Sequence, residues 1–459
     1  MNAKMMTAAC ALMAVLCGGA FAGDEMAAGP ANTYVQVGRL LADPASGTVE
    51  AQKTIVITDG KITAIKDGFV SGKGETIDLR NEFVLPGFID SHVHLTSEQS
   101  AHSEMDNVKM SSADRAIEGA LHARRTINAG FTTVANLGGD SDAVLALRDG
   151  IAAGKIPGPR IIAAGGVAAD GGHFDIHGFR SEVMELLHNK SLCSGADECR
   201  KKVRELIGRG FDEIKIASTG GVLSNTAAGL AQQMTQAEIN AIVETAHALG
   251  RHVVCHAHGT DGINAALAGG VDSIEHGTFL DERSVELFKK SGAYYVPTMM
   301  AAEYVANIAR MPNSFFSEAQ KQKALSVGPK LVEAVKRAHA AGVKFAFGTD
   351  TGVSRHGDNA REFRLMVDAG FTPLDAIRSA TVWGAAHNNL SREIGALTPG
   401  HSADLVAVHG DPLKDVTLLE HVGFVMARGH VMKDCDHGSC PPEQMVALPT
   451  DNAGFGDEE

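Results

Sequence analysis

Two histidines one residue apart, His92 and His94, close the apolar run "EFVLPGFIDSHVH", and a second pair with the same spacing, His256 and His258, closes "RHVVCHAH". Residues two apart in an extended strand face the same side, so each pair can present two imidazoles to one point. His276 ends "VDSIEH", Asp350 ends "KFAFGTD", and Lys215 lies inside "FDEIKIAS". Imidazole nitrogens and a carboxylate suit zinc, with iron, manganese or cobalt allowed by the same preferences. A single HxH in a chain with 20 histidines decides nothing, because two polar residues at a strand end read the same way. The joint pattern points to a metal centre.

Lys215 is the unusual member. An ammonium between Ile214 and Ile216 in a buried strand is costly to desolvate and repels a nearby cation. Burial lowers a lysine pKa, and a neutral amine can take up carbon dioxide as a carbamate whose two oxygens could bridge two metal ions. The competing arrangement is a stem in the core with the head reaching solvent.

These residues require elements that converge on one place. Strand-like runs are "GFIDSHVHL", "FTTVANL", "PRIIAAG", "FDEIKIAS", "HVVCHAH", "VDSIEH", "AYYVPT" and "KFAFGTD", with helical patterns between most of them. Thr235 with Glu238 forms a capping box ahead of a helix that Gly250 follows, and Thr372 before Pro373 reads as an N-cap with proline at the first helical position. Eight strands joined by helices predict an α/β fold, a (β/α)8 TIM barrel over residues 85–394. In such a barrel chemistry belongs at the C-terminal strand ends, where the histidines, Asp350 and Lys215 collect.

The flanking texture is different. "TYVQVGRLL", "KTIVITDGKITAIK" and "ETIDLR" are short β runs, with Asp59–Gly60 as a hairpin turn, and "ADLVAVHGD" and "VGFVMARGHVMKD" return to that texture near the end. Residues 23–84 and 395–440 are therefore expected to form one small β-sandwich built from both chain ends. Lys4 ahead of "TAACALMAVLCGGA" and the small residues Ala20 and Ala22 read as a signal peptide over 1–22, cleaved after Ala22. A lipid anchor on Cys17 is the lesser reading, since Leu16 is bulky for that position. The expected location is periplasmic or secreted. Export leaves five cysteines, with local pairs Cys193/Cys199 and Cys435/Cys440 and with Cys255 as a buried core residue. The Pro-, Gly- and acid-rich end, residues 441–459, has no periodicity and reads as a flexible tail.

A net charge of -14 argues against nucleic acid or an anionic membrane surface as a partner, since both need a basic footprint.

The stretches "LPGFIDSHVHL", "IKIASTGGV", "CHAHG", "DSIEHG" and "FGTDTG", in this order, resemble the metal-dependent amidohydrolase superfamily in its binuclear subtype with a carboxylated lysine. Within it the chain is similar to dipeptidases of the Xaa-Pro and Xaa-Arg type and to amidohydrolases that cleave ochratoxin-like N-acyl phenylalanines. The resemblance runs from the N-terminal strands to about residue 433. It implies the barrel with a two-ended β-sandwich, and two divalent ions, most simply zinc. His92, His94 and Asp350 would hold one ion and His256 and His276 the other, with carboxylated Lys215 between them. Deaminase branches of the superfamily usually work with one metal and lack that lysine, so Lys215 speaks for hydrolysis. Relatives often form homo-oligomers.

The expected reaction is hydrolysis of a dipeptide or an N-acyl L-amino acid, with a metal-bridging hydroxide attacking the amide carbonyl. Asp350 would move the proton to the leaving amine, and His258, outside the implied ligand set, would stabilise the oxyanion. Groups to recognise an amino-acid carboxylate are sought in "ADGGHFDIHGFR" and "TGVSRHGDN": His173, Arg355 and His356 by charge-assisted hydrogen bonds, with His177 and Arg180 as weaker choices. The competing role for "RHGDN" is a turn that caps a helix starting near Asn359. A lactonase or phosphotriesterase would use the same core, distinguished only by its pocket. A structural metal site would leave no open position.

Overall fold

The computed structural model describes residues 32–187, 191–224 and 229–435. The expected signal peptide, the tail and Cys440 lie outside the described residues.

Eight parallel strands form the main sheet: Phe88–Val93, Phe131–Asn136, Arg160–Ala169, Glu213–Ala217, Val253–Ala257, Ser273–His276, Tyr294–Val296 and Lys344–Phe345. They are referred to below as the first to eighth strands. A further two-residue strand, Leu192–Cys193, pairs with the third. The first and last strands are joined by backbone hydrogen bonds from Ser91 N to Phe347 O, from Asp350 N to His92 O and from His94 N to Thr351 O, so the sheet closes on itself. All eight positions expected from the sequence are strands in this order. Helices on the outside explain the unbroken apolar character of the strands, which are covered on both faces.

The helices begin where side chains can satisfy their free amides. Thr235 and Glu238 form the expected capping box for Gln236–Ala248, Thr372 caps Pro373–Ser379, and Asp281 with Ser284 and Ser317 with Gln320 repeat the device. Met299–Arg310 is built differently. Its N-cap Thr298 makes no capping bond, and the amides of Met299 and Met300 donate instead to the carboxylate of the buried Glu362, on the helix Arg361–Asp368 after the eighth strand. Phe363 of that helix packs on Phe347 at 4.5 Å and on Phe88 at 5.1 Å between ring centres. The same helix thus holds the closure of the barrel.

The chain ends also meet as expected, but as one sheet rather than as a pair facing each other. Asn32–Leu40, Glu50–Thr58, Lys61–Asp67 and Gly74–Pro86 join Leu405–Val408, Phe424–Ala427 and His430–Asp434 in a continuous seven-stranded sheet. Strand patterning cannot distinguish one curled sheet from two stacked ones. The sheet curls until Lys61 pairs with Ser402 and Gly60 O accepts Ala403 N, and Val35, Ile55, Leu405 and Phe424 fill its inside. Asp59 and Gly60 both have positive φ, 50° and 74°, as a two-residue hairpin turn requires.

Cys193 and Cys199 form a disulfide. Cys255 is buried and free, and burial pushes its thiol up to about 11. Among the described residues no helix is long and apolar enough to cross a membrane.

Glu213 sits two residues before Lys215 on the fourth strand, deep in the barrel, and its Oε1 has no hydrogen-bond partner. Burial, reinforced by Glu275, raises its carboxyl to about 8. A raised carboxyl pKa contributes stability below its unfolded value, which is lost as pH rises through the folded one. Glu213→Gln should therefore gain stability over the parent protein as pH is raised from about 4.5 to about 8, with no further gain beyond, as read from urea unfolding at a series of pH values.

Candidate active site

The side chains singled out in the sequence converge at the C-terminal mouth of the barrel. Nε2 of His92 and Nε2 of His94 lie 3.3 and 3.2 Å from Asp350 Oδ1, and Lys215 Nζ lies 3.4 Å from His92 Nε2. The rings of His256 and His276 are 4.6 Å apart, those of His258 and His276 4.9 Å, and those of His92 and His276 5.2 Å. Two sets have donor atoms close enough to share an ion: His92, His276 and Asp350, and His256, His258 and His276, each within 4.8 Å. His258, which the family resemblance leaves out of the ligand set, belongs to the second by distance. Lys215 is 2% exposed, so its head does not reach solvent.

Three of the imidazoles are oriented by a partner on Nδ1, the arrangement that aims the other nitrogen at an ion. His92 Nδ1 meets Glu275 Oε2 at 2.8 Å, His276 Nδ1 meets Thr298 Oγ1 at 2.7 Å, and His258 Nδ1 meets Thr278 Oγ1 at 2.8 Å. Glu275 is itself held by Ser273 Oγ, and Tyr295 Oη donates to His276 O at 2.8 Å. Asp90 fixes the strand ends below: it accepts from His92 N, Thr349 N, Thr349 Oγ1 and Asn359 Nδ2.

Backbone strain gathers at the same place. His276, Thr298 and Asp350, at the ends of the sixth to eighth strands, have φ of 68°, 55° and 58°. Such conformations cost about 1–3 kcal/mol each in non-glycine residues and persist where the surroundings over-determine them.

Burial sets the protonation states. It lowers His94, His258 and Lys215, and takes His256 and His276 well below the ordinary imidazole value, with neighbouring cationic groups adding to the effect on both. For His92 burial and Lys215 work downward, but Asp350 and Glu275 outweigh them and raise it. Burial would raise Asp350, yet His92 and His94 hold it well below the usual carboxylate range. Except at His92, the shifts run towards neutral imidazoles, an ionised carboxylate and an uncharged amine, the states that metal ligands must adopt. The donor set therefore fits divalent ions.

The cavity over this site has a volume of about 140 Å³ and is lined by these donors and by apolar side chains. His173 lines it and stacks on His256 at 4.1 Å. Burial, with His258 and Lys215 adding, lowers His173 to about 3, so it offers a neutral ring and not the charge expected of it. His356 is placed elsewhere: it is buried, its Nε2 meets Ser97 O at 2.9 Å, and its ring stacks on His122 at 4.3 Å. Arg355 is exposed outside the lining. His177 bonds Gly172 O, and Arg180 is exposed beside Glu182. Asn359 caps no helix; its amide is spent on Asp90. Glu98, His122 and His356 form a third close group of metal-type donors, and none of the three lines that cavity.

Glu275, Thr278 and Thr298 were not found by sequence reasoning. The available signal was their place beside or just after a strand-end histidine, in "SIEHGT" and "VPT".

The closed barrel and the histidine-rich mouth define a metallohydrolase of the (β/α)8 class. Residues 83–432 match the Amidohydrolase family, and the chain belongs to it. The ochratoxinase of Aspergillus niger is 30% identical over 359 residues, covering 73% of this chain and 72% of that protein. A crystal structure of a Xaa-Pro dipeptidase with methionine bound in its active site superposes with a TM-score of 0.83 at 39% identity, covering 87% of this chain and 99% of that one. A prolidase complexed with N-methylphosphonate-L-proline gives 0.79 at 30% identity, over 88% of this chain and 100% of that one. The protein is a hydrolase acting on amide or peptide bonds.

Thr298→Ala removes the partner of His276 Nδ1. It should weaken divalent-metal affinity by about 10- to 100-fold, measured by competition with a chromophoric chelator.

Proposed function

We propose that this protein is an exported, binuclear metal-dependent amidohydrolase that releases an amino acid from dipeptides or N-acyl L-amino acids. The observation that carries the reading is the buried Lys215 amine, 3.4 Å from His92 Nε2 and fully enclosed in a cluster of imidazoles with Asp350. An unpaired ammonium is untenable there beside a cation. Addition of carbon dioxide to the neutral amine, with loss of one proton, turns that nitrogen into an anionic carbamate with two oxygen donors. On this reading His92, His94 and Asp350 would hold one divalent ion, most simply zinc, and His256 and His276 the other, with the Lys215 carbamate as a further anionic ligand.

The ions, when bound, polarise the amide carbonyl and lower the pKa of water towards neutrality. Asp350, ionised and hydrogen-bonded to both His92 and His94, accepts the proton of the attacking water and returns it to the leaving nitrogen. His258 is lowered to about 4, by burial first, and so is neutral at pH 7. With Nδ1 on Thr278 it can turn Nε2 to the oxygen that gains charge.

Substrate class is supported by the relatives: one is named for ochratoxin hydrolysis, one holds methionine and one holds a proline phosphonate. An ester or phosphotriester substrate is the second reading, favoured by a described lining that, apart from Lys215, Asp350 and the histidines, is almost wholly apolar. Export and removal of residues 1–22 belong to the proposal, and N-terminal sequencing of the mature protein should begin at Gly23.

Dipeptides and N-acyl amino acids should be hydrolysed in a reaction that chelation abolishes, while turnover of lactones or phosphotriesters alone would overturn the amidase reading. Asp350→Asn should lose about 10²- to 10⁴-fold in kcat; near-normal turnover with full metal content would refute the proton transfer.

A further inference from the structure

The helix Glu318–Ala340 crosses the cavity with Val327 and Leu331 in its lining. Lys323 stands one turn before Val327 on the same face. Its Nζ donates to Gly221 O at 2.8 Å and to Ser224 O at 2.5 Å, in the loop after the fourth strand. Between those two carbonyls lie Val222 and Leu223, which line the same cavity. Lysine and apolar wall are therefore one unit.

Lys323 is half-buried, and burial works against its charge. Among the described residues no carboxylate lies within ion-pair distance of it. An ammonium has three N–H groups, and the two carbonyls account for two. Lys323 is not itself in the lining, but the two carbonyls it holds flank the lining residues Val222 and Leu223, which puts its charge beside the apolar wall. A helical turn, ~5.4 Å, is comparable to the span from an amino acid's carboxylate to the end of a leucine- or phenylalanine-sized side chain.

We infer that Lys323 binds the free carboxylate of the leaving amino acid, and that this amino acid is apolar, its side chain packing on Val222, Leu223, Ala301, Val305, Val327 and Leu331. The inference rests on the amidohydrolase reading above and specifies its substrate. A charged side chain would lose its hydration against this wall with nothing to replace it.

The test is steady-state kinetics of the metal-loaded enzyme on N-acetyl derivatives of leucine, phenylalanine, methionine, lysine and glutamate, and on their carboxamides. The apolar acids should exceed the lysine and glutamate derivatives at least about tenfold in kcat/KM. Lys323→Met should raise KM for the apolar acids by about ten- to a hundredfold with little change in kcat. It should leave the carboxamides unaffected, and Lys323→Arg should restore most of the loss. An equal rise for acids and carboxamides would mean that Lys323 only ties the loop, and preference for lysine or glutamate derivatives would refute the apolar assignment; either overturns the inference while leaving the amidase intact. No turnover of any member would overturn both.

Discussion

The mouth of this barrel is organised around a lysine nitrogen that is almost wholly buried. Lys215 points into the barrel between Glu213 below and the imidazoles above, and its side chain is sealed by the strands on either side. Proteins tolerate such a group when its charge is removed or matched at close range. Glu275 lies nearby but is committed to His92 and Ser273. Five neighbouring imidazoles and Asp350 cannot supply a stable salt bridge and still serve as ligands. On the proposed reading the carbamate resolves this: it gives the nitrogen a neutral identity and gives the ions a shared anion.

Holding that cluster in place requires strain, and the fold supplies the restraint from a distance. The left-handed conformations of His276, Thr298 and Asp350 are each tied by a second element. Tyr295 and Thr298 hold His276, and the amide of Asp350 is bonded to His92 O across the barrel seam. Thr298 orients His276 and leaves its own helix uncapped, so Glu362, far along the chain, takes over the two exposed amides. The same helix packs Phe363 against the seam. Barrel closure, helix capping and ligand orientation are thus coupled through a few buried side chains.

Much of this was legible in the sequence. The two HxH pairs, the order of the eight strands and the capping box at Thr235 depend on local periodicity and spacing, which a single sequence carries. The role of Glu275 was less accessible than that of His276, because simple alternation allows only one of two adjacent residues to face inward. The register pairs Glu275 with the inward His256, and the positive φ of His276 breaks the alternation and brings the histidine inward as well. His356 was misplaced for a related reason. The path of the loop after the eighth strand is set by Asn359 bonding Asp90 and by His122 stacking on His356, contacts between residues hundreds of positions apart. Lys323 went unseen because a lysine on a charged helix has no local mark of its partners.

The most direct measurement is ¹³C NMR of the metal-loaded protein prepared in ¹³C-bicarbonate. A carbamate carbon resonance, in slow exchange and absent from Lys215→Ala, is the expected result. A fully metallated, active enzyme without that resonance would show that Lys215 stays unmodified and that the site does not work through a bridging carbamate.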